Sequence, residues 1–390
     1  MSVSLITISE KTSKVVSRDF KIFNNKIFIC SHFYQLNRWV AQISCYDLLG
    51  NTINTFGKNG KVLLTGFQNT TESFQLKLSG NFLYVIGTSQ KLSRDGFILK
   101  LNNTTGQTIN NFGLNGIVMF DIFGKNDFVS DFLLENENLI ILGYSSLNGY
   151  FSLFLMRINI LTGKINPITS KNTSKNSSKN TIFNEFNIDY RNGIMLIYKR
   201  YTDIIPKSLI ISQDSIIICG GIKNNTWDGF IINISKNYLM INISIQNYLN
   251  TYDMNNSIIF NNNKLVLLTT VTNLLNLNVV ILSQYNNANL LIDNGFKQFI
   301  CSTMNFDLAG KKILVDNDKY YILCNSNNSV FIFCYSSDNT YTTFQYTSKK
   351  SIMGNNFEIL NNNLYVEIDL DLNALILCVD KNKVNTKIEL

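Results

Sequence analysis

The stretch TINTFGKNGKVLL, beginning at Thr52, returns 56 residues later as TINNFGLNGIVMF, beginning at Thr108. A chain that repeats at such an interval is assembled from small units, none of which can bury its apolar surface alone. Short apolar runs keep the same rhythm along the whole sequence. KIFIC ends at Cys30, LYVIG at Gly87, LIILG at Gly143, IIICG at Gly220, LVLLT at Thr269, YYILC at Cys324 and LYVEI at Ile368. The steps between them are 57, 56, 77, 49, 55 and 44 residues, which makes seven copies.

Each run follows a polar turn such as FNNK, ENEN or DNDK, and before the turn stands another apolar stretch such as SFQLKL or KKILV. Strand, short Asn/Asp/Gly turn and strand make a β-hairpin. A third strand follows at every copy, from WVAQISCY to ALILCVD. In the first two copies, Phe56-Gly57-x-x-Gly60 and Phe112-Gly113-x-x-Gly116 form a structural turn into a fourth strand, KVLLTG or IVMFDI. Glycine accepts the positive φ that such turns need. Later copies keep the strand and lose the motif.

Four antiparallel strands repeated seven times predict an all-β fold, a seven-bladed β-propeller occupying residues 1–390 as one domain. The ring is expected to close by pairing of the termini. SLITIS or VNTKIEL would complete the last blade, with the N-terminal strand set beside the C-terminal blade and the two termini meeting in one sheet. The long 77-residue step is ascribed to TSKNTSKNSSKN, residues 169–180, a low-complexity stretch expected to be a flexible loop insertion. Its neighbourhood carries Lys164, Lys171, Lys175 and Lys179, expected to be solvated.

At WVAQISCYDLLGNTINTFGKNGKVLL and DGFILKLNNTTGQTINNFGLNGIVMF the sequence resembles the delta-60 repeat family, a β-propeller repeat of unknown function. The matching positions are Asn54, Phe56, Gly57 and Gly60, then Asn110, Phe112, Gly113 and Gly116, with LYVIG and LIILG at the end of the hairpin. Two copies match well, and the other five match in strand rhythm. The family's Gln-Pro-Asp-Gly turn is replaced here by Asn-rich turns. The resemblance implies a propeller fold and no particular reaction. Other propeller signatures fit worse. There are no His and Trp-Asp pairs of a WD40 repeat, one Gly-Gly (Gly220, Gly221) where kelch repeats need several, and no sialidase box. NNTTGQTI and NILTGKIN are similar to quinoprotein turns but lack the Trp that follows.

The chain has 58 Asn, 28 Lys and 6 Arg among 390 residues, a composition of AT-rich codons that points to an AT-rich genome, such as that of a large DNA virus, and not to an activity. The net charge of +7 permits an acidic or nucleic-acid partner and is equally explained by solubility. No signal peptide and no run of 18 apolar residues is visible, so the expected location is the cytoplasm, or the virion if the protein is viral, with no membrane span. Six of the seven cysteines, Cys30, Cys45, Cys219, Cys324, Cys334 and Cys378, lie in apolar runs and are read as small buried hydrophobes.

Little in the sequence points to chemistry. His32 is the only histidine, which excludes zinc sites needing two, and nothing around it is built like a nucleophile elbow. Glu367, Asp369 and Asp371 alternate along a strand and could gather a hard cation, but they are read as its solvent-facing end. Asp316 and Asp318 fall at a hairpin turn. No Walker loop or dinucleotide glycine motif occurs, and no metal, cofactor or catalytic residue is expected. The loops joining second and third strands carry His32, Tyr34, Arg38, Lys91, Arg94, Tyr144, Tyr150, Lys223 and Trp227. Basic and aromatic side chains on one face suit a binding surface. The expectation is a monomeric, non-enzymatic propeller acting as a protein-binding or structural scaffold. The alternatives are nonspecific, lysine-driven nucleic-acid binding and, third, a divergent hydrolase or lyase.

Overall fold

The apolar runs become the second strands of seven sheets. The computed structural model describes residues 4–8, 14–64, 70–90, 92–147, 149–168, 185–238, 240–247, 252–262, 264–272, 277–286, 299–301, 307–336, 341–371, 373–381 and 386–389. Blade 1 orders its strands Val15–Phe23, Lys26–Gln35, Arg38–Asp47 and Lys61–Leu63. Blades 2 to 7 follow at 70–120, 127–199, 203–246, 253–301, 309–347 and 352–380. No helix among the described residues is long and apolar enough to cross a membrane. Lys91 and the stretch 169–180 lie outside the described residues.

The chain divides into two compact units, Met1–Gly124 with Leu314–Leu390, and Lys125–Ile313. Within each unit the blades pack by one rule. Phe28 and Cys30 of blade 1 pack with Leu83, Val85, Phe97 and Leu99 of blade 2, whereas Ile27 and Ile29 pack with Tyr365, Ala374 and Ile376 of blade 7. In the other unit, Ile216 and Ile218 of blade 4 meet Ile140 and Leu142 of blade 3, while Ile217 and Cys219 meet Leu265 and Leu267 of blade 5. Successive side chains of a strand point to opposite faces, so a strand covered on both faces is apolar at every position. Five of the six cysteines lying in apolar runs are buried, and Cys378 is half-buried.

Six of the first strands carry a bulge of one residue: Arg18, Phe74, Ser130, Lys207, Asn256 and Asn355. The residue after the bulge is polar in every case, and in five blades it ties its sheet to a neighbour. The Asp19 carboxylate accepts the Leu76 N–H at 2.8 Å, and that of Asp131 accepts the Leu209 N–H at 3.0 Å. The Asn356 amide donates to the Phe20 carbonyl at 3.2 Å and also to Asp19.

The Phe-Gly turns have a geometric cause. Phe56 and Phe112 are fully buried, in edge contact with Phe28 and Tyr84 at 5.7 and 6.3 Å. Gly57 sits at φ +59°, and a Cβ there would fall 2.2 Å from the Lys61 carbonyl oxygen. Gly113 repeats this against Ile117, also at 2.2 Å, and Gly60 and Gly116 hold positive φ as well. The Gly57 N–H donates to the Thr105 carbonyl of blade 2 at 2.8 Å, so the turn serves packing between blades as well as the chain reversal. The Asn-rich turns are explained too. Asn24, Asn136, Asn262, Asn317 and Asn361 all occupy the left-handed region in turns between first and second strands, which Asn tolerates better than most residues.

Two expectations are corrected. The long third interval does not come from residues 169–180 alone. An extra strand, Phe186–Arg191, pairs outside Ile194–Lys199 and makes blade 3 five-stranded. The N-terminal strand Ser4–Ile8 does complete blade 7, pairing with Asn373–Asp380 so that Ile6 faces Ile376. The termini do not meet in one sheet, however. Thr386–Glu389 joins blade 6 as a fifth strand, parallel to Tyr341–Thr347.

Gly80 has nearly the same φ as Gly57, +54°, but nothing within 4 Å of the Cβ position. Gly80→Ala should therefore cost only the backbone term, about 1–2 kcal/mol. Gly57→Ala adds a clash with backbone and should cost at least about 2 kcal/mol more. Urea denaturation of the two variants side by side checks the difference.

Candidate functional site

First strands begin where second strands end, so residues early in one and late in the other share one end of a blade. At that end of blades 7, 1 and 2 lies a cavity of about 480 Å³. Blade 1 contributes Arg18, His32 and Trp39, blade 7 contributes Asp369 and Asp371, and blade 2 contributes Glu72. The bulge makes Arg18 the extra residue between the pairs Ser17–Ser31 and Asp19–Cys30. His32 lies opposite Val16 and Ala41 near the ends of those strands.

His32 is only 2% exposed. Burial, reinforced by the Arg18 guanidinium, pulls its pKa down to about 3, while a contact with the Ser73 backbone opposes the shift. The ring meets Trp39 edge-on at 5.0 Å, and Tyr34 also meets Trp39, at 5.4 Å. Asp369 is pushed up to about 6 by burial, against hydrogen bonds from the Ser17 N–H at 3.0 Å and the Asn355 amide at 2.8 Å. Asp371 is exposed and pairs with Lys350 at 2.8 Å, and Glu72 lies 3.7 Å from Arg94. Two buried atoms of the cavity wall, Arg18 Nε and His32 Nδ1, have no hydrogen-bond partner.

The acidic strand end is therefore solvent-facing only in part: of the three residues, Asp371 alone is exposed. Glu367 is fully buried and Asp369 half-buried, because the neighbouring blade 1 covers that face. Among the remaining candidates, Tyr34 is half-exposed, Arg38 faces Gln35 across the hairpin, and Arg94 stands beside Glu72. Tyr144 stacks on Phe128 at 4.8 Å, and Lys223 faces Trp227 across blade 4. Tyr150 meets Tyr201 at 5.9 Å and, with Tyr198, Lys199 and Arg200, lines a second cavity of about 370 Å³ in blade 3. Arg18, Trp39 and Glu72 were not singled out by the sequence. Trp39 lies within a strand run, and a bulge leaves no mark in a single sequence.

Seven sheets in this arrangement make the chain a seven-bladed β-propeller. No family model matches it, and no curated protein does. Among solved structures it is similar to the β-propeller domain of the Trilobed protease from Pyrococcus furiosus, described as having an open velcro topology. That likeness has a TM-score of 0.54 at 9% identity, covering 93% of this chain and 95% of the other. Drosophila Semaphorin 1a, extracellular domains 1–2, gives 0.53 at 8% identity over 96% and 88% of the two chains. A prolyl endopeptidase gives 0.52 at 8% identity over 96% of this chain, which spans only 48% of that enzyme. At such identities the likeness is one of fold.

Two measurements test the electrostatics. As the only histidine, His32 gives a single imidazole C2–H resonance. It should keep its neutral position from about pH 8 down to about pH 5, and a midpoint near the usual value of about 6.5 would put the ring in water. For Asp369 the folded pKa lies above that of a free Asp, so folding favours the neutral acid. That stabilisation is whole below about pH 4 and is lost as the pH rises through about 6. The stability of Asp369→Asn relative to wild type should accordingly rise by about 3 kcal/mol between pH 4 and 7.

Proposed function

We propose that the protein is a non-enzymatic binding module whose binding end is the one where second strands turn into third strands. The observation that carries this reading is a pair of leucines at adjacent hairpin tips. Leu36 of blade 1 is 86% exposed and Leu92 of blade 2 is 98% exposed, with Arg38 and Arg94 two residues further on. Exposed apolar side chains next to arginine are the ingredients of a protein interface. Leu36 and Asn37 also hold positive φ, as a two-residue hairpin turn requires, and a leucine there has some backbone cost.

The groups available for chemistry argue in the same direction. His32 is held neutral, and burial pushes the Cys45 thiol up to about 12, with Cys30 and Cys219 raised as well. Thiols held protonated are poor nucleophiles. The peptidases among the similar structures support the fold and carry no argument for hydrolysis here. Kinship with delta-60 repeats rests on the two Phe-Gly turns.

A second reading, nonspecific binding of single-stranded nucleic acid, is favoured by the blade 3 cavity, where Tyr150, Tyr198 and Tyr201 surround Arg200 and Lys199. Lys199 is already engaged by Glu185 at 2.5 Å and by Asn224, which weakens that reading.

The two are separated by quantitative affinity capture from the native host and retention on single-stranded DNA. A protein partner should be enriched at least about tenfold by wild type and lost with the double variant Leu36→Asp, Leu92→Asp. DNA retention at low salt that disappears at moderate salt, unchanged in that variant and abolished by Arg200→Gln with Tyr201→Ala, would replace the protein reading with the nucleic-acid one.

A further inference from the structure

In blades 1, 2, 4, 5 and 6 the fourth strand is the next strand of the chain after the third. Blades 4 and 6 share one spacing. Five residues separate Trp227–Ser235 from Ile241–Gln246, and five separate Ser329–Tyr335 from Tyr341–Thr347. Blade 7 departs from this. Its third strand Asn373–Asp380 is followed, again after five residues, by Thr386–Glu389, yet that strand lies on blade 6. The place it would take by spacing is held by Ser4–Ile8. Its direction is also that of a fourth strand, since it runs parallel to Tyr341–Thr347, the fourth strand of blade 6.

Two strands therefore suit one edge, and they cannot share it. In blade 6 the residue that ends the third strand faces the one that opens the fourth, Tyr335 with Tyr341. The same register in blade 7 puts Thr386 opposite Asp380 and Ile388 opposite Cys378, which now faces Ser4. What each strand holds sets the balance. Ser4–Ile8 makes five antiparallel pairs, and its Ile6 is buried among Val15, Ile29 and Tyr46 of blade 1. Thr386–Glu389 has four parallel pairs, to a blade that already has four strands of its own. Parallel pairs are slightly weaker per residue than antiparallel ones. The connection starts between the two edges. The Lys381 N–H donates to the Asn362 carbonyl of blade 7 at 2.8 Å, and its ammonium pairs with Asp316 of blade 6 at 2.5 Å. So short a tether keeps the strand at high effective concentration near both blades.

We infer that Thr386–Glu389 is a displaced fourth strand of blade 7, and that this blade has a second closed form in which it pairs with Asn373–Asp380 while Ser4–Ile8 is released. The form with Ser4–Ile8 in place is the major one, because the exchange gives up the burial of Ile6. The exchange also bares the outer edge of Tyr341–Thr347, so one movement frees a strand and opens an edge to strand addition.

A disulfide traps the second form. Residues opposite each other on neighbouring strands lie within disulfide reach, and Ile388→Cys sets a thiol opposite Cys378 only after the exchange. Diamide is added to the folded protein, and the bond between positions 378 and 388 is followed by peptide mass spectrometry. Ser4→Cys, opposite Cys378 before any exchange, sets the fast limit. The 378–388 bond should form slowly in Ile388→Cys, and at least about tenfold faster when Ile6→Asp is added to loosen Ser4–Ile8. No such bond in either protein overturns the inference, and so do equal rates in both. If the protein with Ile6→Asp does not fold, Ile388→Cys alone decides, by slow accumulation of the bond or by none. A bond found only between two chains, as a dimer on a non-reducing gel, also overturns it, because the strand would then be passing from one molecule to another.

Discussion

Each sheet in this protein is apolar on both faces, and a sheet of that kind has no stable existence in water by itself. Most of the structure follows from covering those faces. Residue 28 must find blade 2 and residue 29 must find blade 7, so the position of each blade is set by both neighbours at once within its unit. Close packing makes this demanding, because a methyl group too few or too many on either face is felt by two sheets.

Apolar contact is non-directional and does not by itself fix how far one blade slides along the next. The polar residue after the first-strand bulge supplies that register. Asp19 is joined to blade 2 through Leu76 and to blade 7 through Asn356, and beside it Lys21 reaches both Asp19, at 3.9 Å, and Glu358. Burial would pull the Lys21 pKa down, but those two carboxylates outweigh it and hold the value above that of a free lysine. The joint between the first and last blades therefore contains oriented charge as well as hydrocarbon. Removing one partner of this part-buried pair would leave the other without its counter-charge.

The fold was open to reading because both of its signals are local. Runs such as IFIC and IIICG are apolar at every position, which a strand with one wet face would not be, and Phe-Gly-x-x-Gly recurs where the turn backs onto a carbonyl. The second hairpin of blade 3 was hidden because its strand Phe186–Arg191, FNIDYR, follows directly on a polar, lysine-rich stretch. The cavity was legible only in part. His32 was marked by being unique and Asp369 by alternation, yet their meeting depends on blade 7 lying beside blade 1, a contact across more than 330 positions that no spacing records. Arg18 was invisible for a different reason. A bulge is a property of two paired strands and appears in neither strand alone.

Pairing of Ser4–Ile8 with Asn373–Asp380 has a consequence for how the chain matures. Ser4–Ile8 is made well before the strand it pairs with, so it finds its place only once Asn373–Asp380 has been made, and blade 7 stays one strand short until then. Loop closure over such a length costs only slightly more entropy than over a short one, since the cost grows with the logarithm of the span. The delay is one of time and not of stability. Until Ser4–Ile8 covers it, the edge of Asn373–Asp380 is open, and the same strand of another copy can compete for it when the protein is concentrated.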